Sequence, residues 1–98
     1  EQVMVMKALL VRFAAECYEE KSMPVVLLFP GQGSGDSFKK ILADTIEETG
    51  IICIAASDVF DIDDLSNYKI DGHYTEICDE KMARTIVSVI MKNLKGAH

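Results

Sequence analysis

Long apolar runs and basic clusters are both scarce in this 98-residue chain. No apolar stretch approaches the ~20 residues that a membrane-spanning helix needs, which argues against a membrane partner. The ten Lys and Arg residues are scattered, and the formal net charge is −6. Because binding to a phosphate backbone needs clustered positive charge, the composition also argues against a nucleic-acid partner.

Cysteine is present in an odd number and without metal-binding or redox spacing. Cys17, Cys53 and Cys78 form no CxxC motif, and each lies in an apolar or helical context. This pattern predicts buried, reduced thiols and excludes a disulfide or zinc framework. Reduced thiols favour a reducing compartment such as the cytoplasm, and the sequence gives no other indication of localisation.

What the chain does contain is the composition of a folded domain, with 49% apolar and 27% charged residues. At this length we predict one α/β domain over residues 1–98, or the C-terminal part of a larger one. Apolar residues recur at helical spacing in three stretches, at about residues 3–20, from Phe38 to Ile46 and from Met82 to Leu94.

Local signals mark the ends of these helices. Asp36 or Ser37 is expected to cap the second helix, Gly50 to end it, and Thr75 to cap the third. The predicted inward face of the third helix is Met82, Ile86, Val89, Ile90 and Leu94.

Two short runs, Val25 to Phe29 and Ile51 to Ala56, are apolar throughout. Such runs are typical of strands buried on both faces of a parallel sheet, so the predicted order is α-β-α-β-α. Two strands make a poor sheet. We therefore expect at least one more strand, supplied by a missing N-terminal portion, a second copy or a partner chain.

Two loops follow these strands, and ligands of open α/β sheets bind at the carboxyl ends of strands. The first loop is rich in glycine, from Gly31 to Gly35, and the second runs from Ser57 to Thr75. The second loop places Asp71 and His73 two residues apart. A carboxylate that holds one imidazole nitrogen leaves the other poised to take a proton from a hydroxyl, so this pair is the candidate catalytic site. The alternative interpretation is a solvated loop histidine beside a turn-forming Asp-Gly.

Three segments together carry a resemblance to a known family. They are Met23-Pro24-Val25-Val26-Leu27-Leu28, Thr49-Gly50-Ile51-Ile52-Cys53-Ile54 and Asp71-Gly72-His73-Tyr74-Thr75. From Leu9 to Leu94 the chain resembles the C-terminal half of the SGNH (GDSL-type) hydrolases and acyltransferases. The resemblance implies a three-layer, flavodoxin-like parallel sheet, of which this chain supplies the α-β-α-β-α portion.

The same resemblance implies an activity on ester bonds. His73 would be the base for a serine nucleophile and Asp71 would orient it, in an esterase or O-acyl (acetyl) transferase. Substrates would be small acyl esters such as acetylated carbohydrate, and no cofactor or metal would be needed. The family's nucleophilic serine, and the Gly and Asn of its oxyanion hole, are not found at their expected places, so the isolated chain is expected to be inactive.

Other interpretations of the loops stay open. Gly35-Asp36-Ser37-Phe38 looks like the family's nucleophile signature, although a helix cap is the simpler interpretation of Asp36 or Ser37. The glycine loop could belong to a nucleotide-binding domain, but its third glycine is one residue early for GxGxxG. Five aspartates suggest calcium, but their spacing fails the EF-hand pattern: Asp58, Asp61, Asp63, Asp64 and Asp71.

The main alternative function is a non-catalytic assembly or binding module that has the scaffold without a nucleophile. Both hypotheses predict partners, because an exposed sheet edge invites pairing. We expect a homo-oligomer, or association with a missing N-terminal portion.

Overall fold

A computed structural model describes residues 1–33 and 35–96 and has the predicted α/β architecture. The helices and strands in chain order are α1 (Gln2–Glu19), β1 (Val25–Leu28), α2 (Ser37–Thr49), β2 (Ile52–Ala55) and α3 (Glu76–Gly96), with short 3₁₀ helices η1 (Ala56–Asp58) and η2 (Leu65–Asn67). The α-β-α-β-α order is therefore confirmed. The assignment of residues 1–98 to one domain stays a prediction.

The described chain divides into two compact units. The helix–strand unit comprises Glu1–Leu28 and Asp36–Ala55. The loop–helix unit comprises Phe29–Gly35 and the chain from Ala56 onward.

In the helix–strand unit, β1 and β2 pair in parallel, as predicted. The register runs from Val25 opposite Ile52 to Leu28 opposite Ala55. Helices α1 and α2 contact each other, and the Tyr18 hydroxyl of α1 donates to the Thr49 carbonyl at 2.7 Å. The most buried residues of the unit are Ala14, Leu42, Ile51, Ile54 and Ala55.

Gly50 ends α2 as expected, and its backbone explains why glycine stands there. It adopts the left-handed conformation with φ +71°, and its N–H donates to the Ile46 carbonyl at 3.1 Å. A β-carbon at this position would lie 2.8 Å from the Tyr18 hydroxyl, which is too close. Both the backbone conformation and the approach of Tyr18 therefore require glycine.

The prediction that the first strand is buried on both faces is wrong. Leu27 keeps 40% of its surface exposed, and Phe29, predicted to be in the strand, follows its end and is 47% exposed. Side chains of a strand are buried by the layers that pack on its two faces, and the described residues leave Leu27 partly uncovered.

In the loop–helix unit, the stretch predicted as one long loop is more ordered than expected. Besides η1 and η2, Tyr68 and Tyr74 form an antiparallel bridge. Asp61 accepts from the Asp63 N–H at 2.9 Å, and Asp64 accepts from the Ser66 N–H at 3.0 Å. The aspartates of this segment thus close local turns.

Helix α3 starts where predicted but is less buried than predicted towards its end. The Cys78 N–H donates to Thr75 Oγ1 at 3.4 Å, so Thr75 caps the helix. Met82 is buried as expected, but Leu94 is 47% exposed, so its predicted inward position is wrong. Burial decreases towards the end of α3, and the apolar periodicity alone did not show at which residue the buried face ends.

The described residues contain no disulfide, and only Cys78 is buried among the three cysteines. Cys17 and Cys53 are partly exposed, contrary to the prediction of buried thiols. Among the described residues, no helix is both long enough and apolar enough to cross a membrane.

Candidate functional site

The segment from Lys69 to His73 forms a tight turn in the loop–helix unit. The Gly72 N–H donates to the Lys69 carbonyl at 2.9 Å, and the Lys69 N–H donates to the His73 carbonyl at 2.6 Å. Gly72 has φ +88°, a conformation that side chains disfavour, so glycine allows the chain to reverse here. Asp71 and His73 flank this glycine and are brought to the same side of the turn.

The structure brings the predicted pair into direct contact. The His73 backbone N–H donates to Asp71 Oδ1 at 3.1 Å, and His73 Nδ1 lies 3.1 Å from Asp71 Oδ2. One carboxylate therefore holds both the backbone and the ring of the histidine. The side chains are 82% exposed for His73 and 60% exposed for Asp71, so the pair faces solvent in the described part of the chain.

Electrostatics favour an ionised Asp71. The backbone N–H of His73, followed by its side chain, lowers the pKa of Asp71 below the ordinary value of 3.8. The charges of His73 and Lys69 act in the same direction but less strongly. A carboxylate facing Nδ1 favours the tautomer with the proton on Nδ1, which leaves Nε2 as the basic nitrogen.

Tyr74, directly after the histidine, anchors the turn. Its hydroxyl donates to the Pro30 carbonyl, 44 residues earlier in the chain. Its ring centroid lies 5.2 Å from that of Phe60, 5.0 Å from that of Tyr68 and 6.2 Å from that of Phe29. Burial, and then the neighbouring Tyr68 hydroxyl, raises the pKa of Tyr74 to about 12, so the phenol remains a hydrogen-bond donor at neutral pH.

No role for Tyr74 was predicted from the sequence. The available signal was an aromatic residue next to the histidine, with Phe60 and Tyr68 in the same loop. The partner at Pro30 could not be found from spacing, because the contact joins two distant segments.

The glycine loop after β1 lies beside the histidine turn. A β-carbon at Gly72 would lie 3.6 Å from Oε1 of Gln32, which is an ordinary contact distance. Gln32 therefore lies next to Gly72.

The structure places Ser37 as the first residue of α2, with an exposed side chain. Asp36 occupies the N-cap position without a side-chain hydrogen bond to the helix. Asp36 and Ser37 belong to the helix–strand unit, whereas Asp71 and His73 belong to the loop–helix unit. The role of Ser37 as a nucleophile stays a prediction.

Residues 1–33 and 35–96 contain no group of three or more His, Cys, Asp or Glu side chains placed so that they could hold a metal ion. Two of the aspartates considered for calcium, Asp61 and Asp64, accept backbone hydrogen bonds within their own turns. Asp71 and His73 themselves can take part in proton transfer and hydrogen bonding.

No protein-family model, curated protein or solved structure matches this chain.

Proposed function

We propose that this chain is the C-terminal part of an SGNH-type serine esterase or O-acyl transferase with a flavodoxin-like sheet. His73 is its general base and Asp71 the residue that orients the base. The observation that carries the proposal is the 3.1 Å separation between His73 Nδ1 and Asp71 Oδ2. This contact is the relation between carboxylate and imidazole on which serine catalysis depends.

The proposed reaction proceeds in two acyl transfers. A serine oxygen attacks the carbonyl carbon of the ester while its proton passes to Nε2 of His73. The imidazolium that forms is stabilised by Asp71 and then returns the proton to the leaving alkoxide, which leaves an acyl-serine. Water or an acceptor alcohol attacks the acyl-serine with His73 again as base, and the serine is regenerated. The resemblance places this serine upstream of the present residues, with Ser37 as the alternative.

A second candidate, a non-catalytic binding module, is favoured by a different observation. The imidazole of His73 is 82% exposed, whereas catalytic bases usually work in clefts that exclude water. Helix α1 also presents large apolar side chains to solvent, among them Met4 at 69% and Leu9 at 62% exposure. A surface of this kind is typical of a protein that binds a partner.

Fluorophosphonate labelling followed by intact-mass analysis decides between the two. The reagent phosphonylates an activated serine with loss of fluoride, and the test uses the full natural polypeptide that contains these residues. We expect one adduct, formed ~10²–10⁴-fold more slowly in His73→Ala, because a general base contributes about that factor. His98→Ala, which changes the only other histidine of the sequence, is the matched control and should label normally.

An unlabelled folded protein, or equal labelling of the wild type and His73→Ala, would contradict the hydrolase proposal and support the binding module. Peptide mapping of the adduct then locates the serine. An adduct on Ser37, lost in Ser37→Ala, would show that the 98-residue chain itself holds the nucleophile.

A further inference from the structure

Tyr74 connects two segments that both flank the candidate site. Its backbone continues directly from His73, and its hydroxyl donates to the carbonyl of Pro30 at the start of the glycine loop. Its ring packs among Phe29, Phe60 and Tyr68. The ring contacts contribute apolar packing, and the hydrogen bond fixes the position of Pro30 relative to Tyr74.

The consequence of this connection is the position of Gln32. Two residues beyond Pro30, its exposed side chain approaches the turn so closely that a β-carbon at Gly72 would lie 3.6 Å from its Oε1. Gln32 thus lies next to the glycine that separates Asp71 from His73.

We propose that Tyr74 is a positioning residue that holds the glycine loop against the histidine turn, and that Gln32 is a specificity-determining residue for the substrate. The proposal rests on the proposed esterase or acyltransferase function. It assigns to Gln32 the recognition of hydroxyl groups on the acyl ester.

The chemistry of the carboxamide supports this assignment. Gln offers two N–H donors and one acceptor oxygen, so it pairs with a hydroxyl group in either direction. A polyhydroxylated substrate, such as an acetylated sugar, presents hydroxyl groups near its ester. A site that hydrogen-bonds a substrate hydroxyl discriminates against an analogue without one, because its own polar group is then left unpaired.

The positioning role is tested first by NMR, without any substrate. Tyr74→Phe removes the hydroxyl and keeps the ring. We expect amide signals to shift both at Gly31 and Gly33 and at Gly72 and His73. We also expect hydrogen exchange at the Gly72 amide to accelerate by about fivefold, the effect of losing one hydrogen bond.

Tyr18→Phe is the matched control, because it removes a hydroxyl that donates to the Thr49 carbonyl in the helix–strand unit. It should leave those amide signals unchanged. Shifts in Tyr74→Phe that are confined to the residues next to position 74 would overturn the positioning role.

The specificity role is tested by kinetics of the full natural polypeptide. We expect Gln32→Ala to raise KM for an acetylated monosaccharide by about tenfold with kcat nearly unchanged, and to leave p-nitrophenyl acetate hydrolysis nearly unaffected. Gln2→Ala, which changes the only other glutamine, is the control. Equal effects on both esters, or no effect on either, would overturn the role of Gln32.

The experiments distinguish a failure of the proposed esterase function from a failure of the roles of Tyr74 and Gln32. Full activity in His73→Ala would refute the proposed function, and the NMR comparison would still judge the positioning by Tyr74. A His73-dependent esterase whose KM is indifferent to Gln32 would refute the specificity role alone.

Discussion

The Asp71 carboxylate contacts both the backbone N–H and the imidazole of His73, and the backbone contact lowers the pKa of Asp71 more. The N–H of His73 is the first cause of its lowered pKa, and the imidazole is the second. The ionised carboxylate is thus stabilised mainly by the backbone N–H of His73 and less by its imidazole.

A pH prediction follows from this order of causes. Because the pKa of Asp71 is lower in the folded protein, its stabilising contribution is present above the unfolded value, close to 3.8, and is lost as the pH falls through the folded pKa. In His73→Ala the N–H remains, so we expect the pKa of Asp71 to stay below 3.8. Titration of the carboxyl carbon signal by NMR measures it, and a return to 3.8 in the variant would contradict the prediction.

At the scale of residues, the sequence predicts contacts between near neighbours and misses those between distant ones. The spacing of Asp71 and His73 on an Asp-Gly turn was enough to predict that they meet, because turn geometry is local. The hydrogen bond from Tyr74 to Pro30 depends on where two loops lie in space, and no pattern in either segment encodes it. The 82% exposure of His73 is what the alternative interpretation as a solvated loop histidine predicts.

Among the helices and strands, the end of α2 has the most specific packing. Gly50 is left-handed, and the Tyr18 hydroxyl both bonds the Thr49 carbonyl and occupies the space where a β-carbon at Gly50 would lie. Tyr18 thus connects α1 to the end of α2, and the absence of a side chain at Gly50 leaves room for its hydroxyl.

We expect Gly50→Ala to destabilise the protein in two ways. The left-handed backbone costs ~1–2 kcal/mol with a β-carbon. Displacement of the Tyr18 hydroxyl costs ~1 kcal/mol more through its lost hydrogen bond. In a Tyr18→Phe background only the first cost remains, so the same substitution should be milder. Urea unfolding of the four proteins gives the comparison, and equal costs in the two backgrounds would refute it.

Adjacent residues of α2 should differ strongly in their importance. Leu42 is 2% exposed and Ile41 is 40% exposed. We expect Leu42→Ala to lower the free energy of unfolding by ~2–5 kcal/mol, since it removes buried methyl groups and leaves a cavity. Ile41→Ala should cost about 1 kcal/mol or less, because its side chain already contacts water. Similar urea midpoints for the two variants would contradict the assigned faces.

Element order was predictable because apolar periodicity and helix-end residues are local signals. Gly50 and Thr75 end and begin helices where expected. The errors at Leu27 and Leu94 share one origin. An apolar pattern indicates which residues could be buried, and only the extent of neighbouring layers decides which ones are.

For the whole molecule, net charge and exposed apolar surface have opposite effects on self-association. The net charge of −6 at pH 7 keeps copies apart, while side chains such as Leu9 expose apolar surface. The two-stranded sheet of the described residues adds edges at which further strands could pair. The expectation of at least one more strand stays a prediction, because the described residues form two strands.

We expect self-association to strengthen as the pH falls from 7 towards the isoelectric point of about 4.7, since repulsion between copies weakens. Leu9→Gln preserves charge and should reduce association if α1 forms the contact surface. Leu65→Gln alters another exposed leucine, in η2, as the control. Sedimentation velocity at the two ends of this range measures the effect, and a monomer at both would refute it.

The Asp71–Gly72 turn also bears on the covalent lifetime of the protein. At an Asp-Gly dipeptide the glycine nitrogen can attack the preceding side-chain carbonyl with loss of water, giving a succinimide and then isoaspartate, because glycine offers little steric hindrance. In the fold, the Gly72 nitrogen is engaged with the Lys69 carbonyl and the carboxylate with His73, so neither reacting group is free to approach the other. We expect isoaspartate at position 71 to accumulate more slowly in the folded protein than in a peptide of the same sequence, as peptide mapping after storage would show. The hydrogen bonds that hold the histidine turn would then also slow this chemical ageing at position 71.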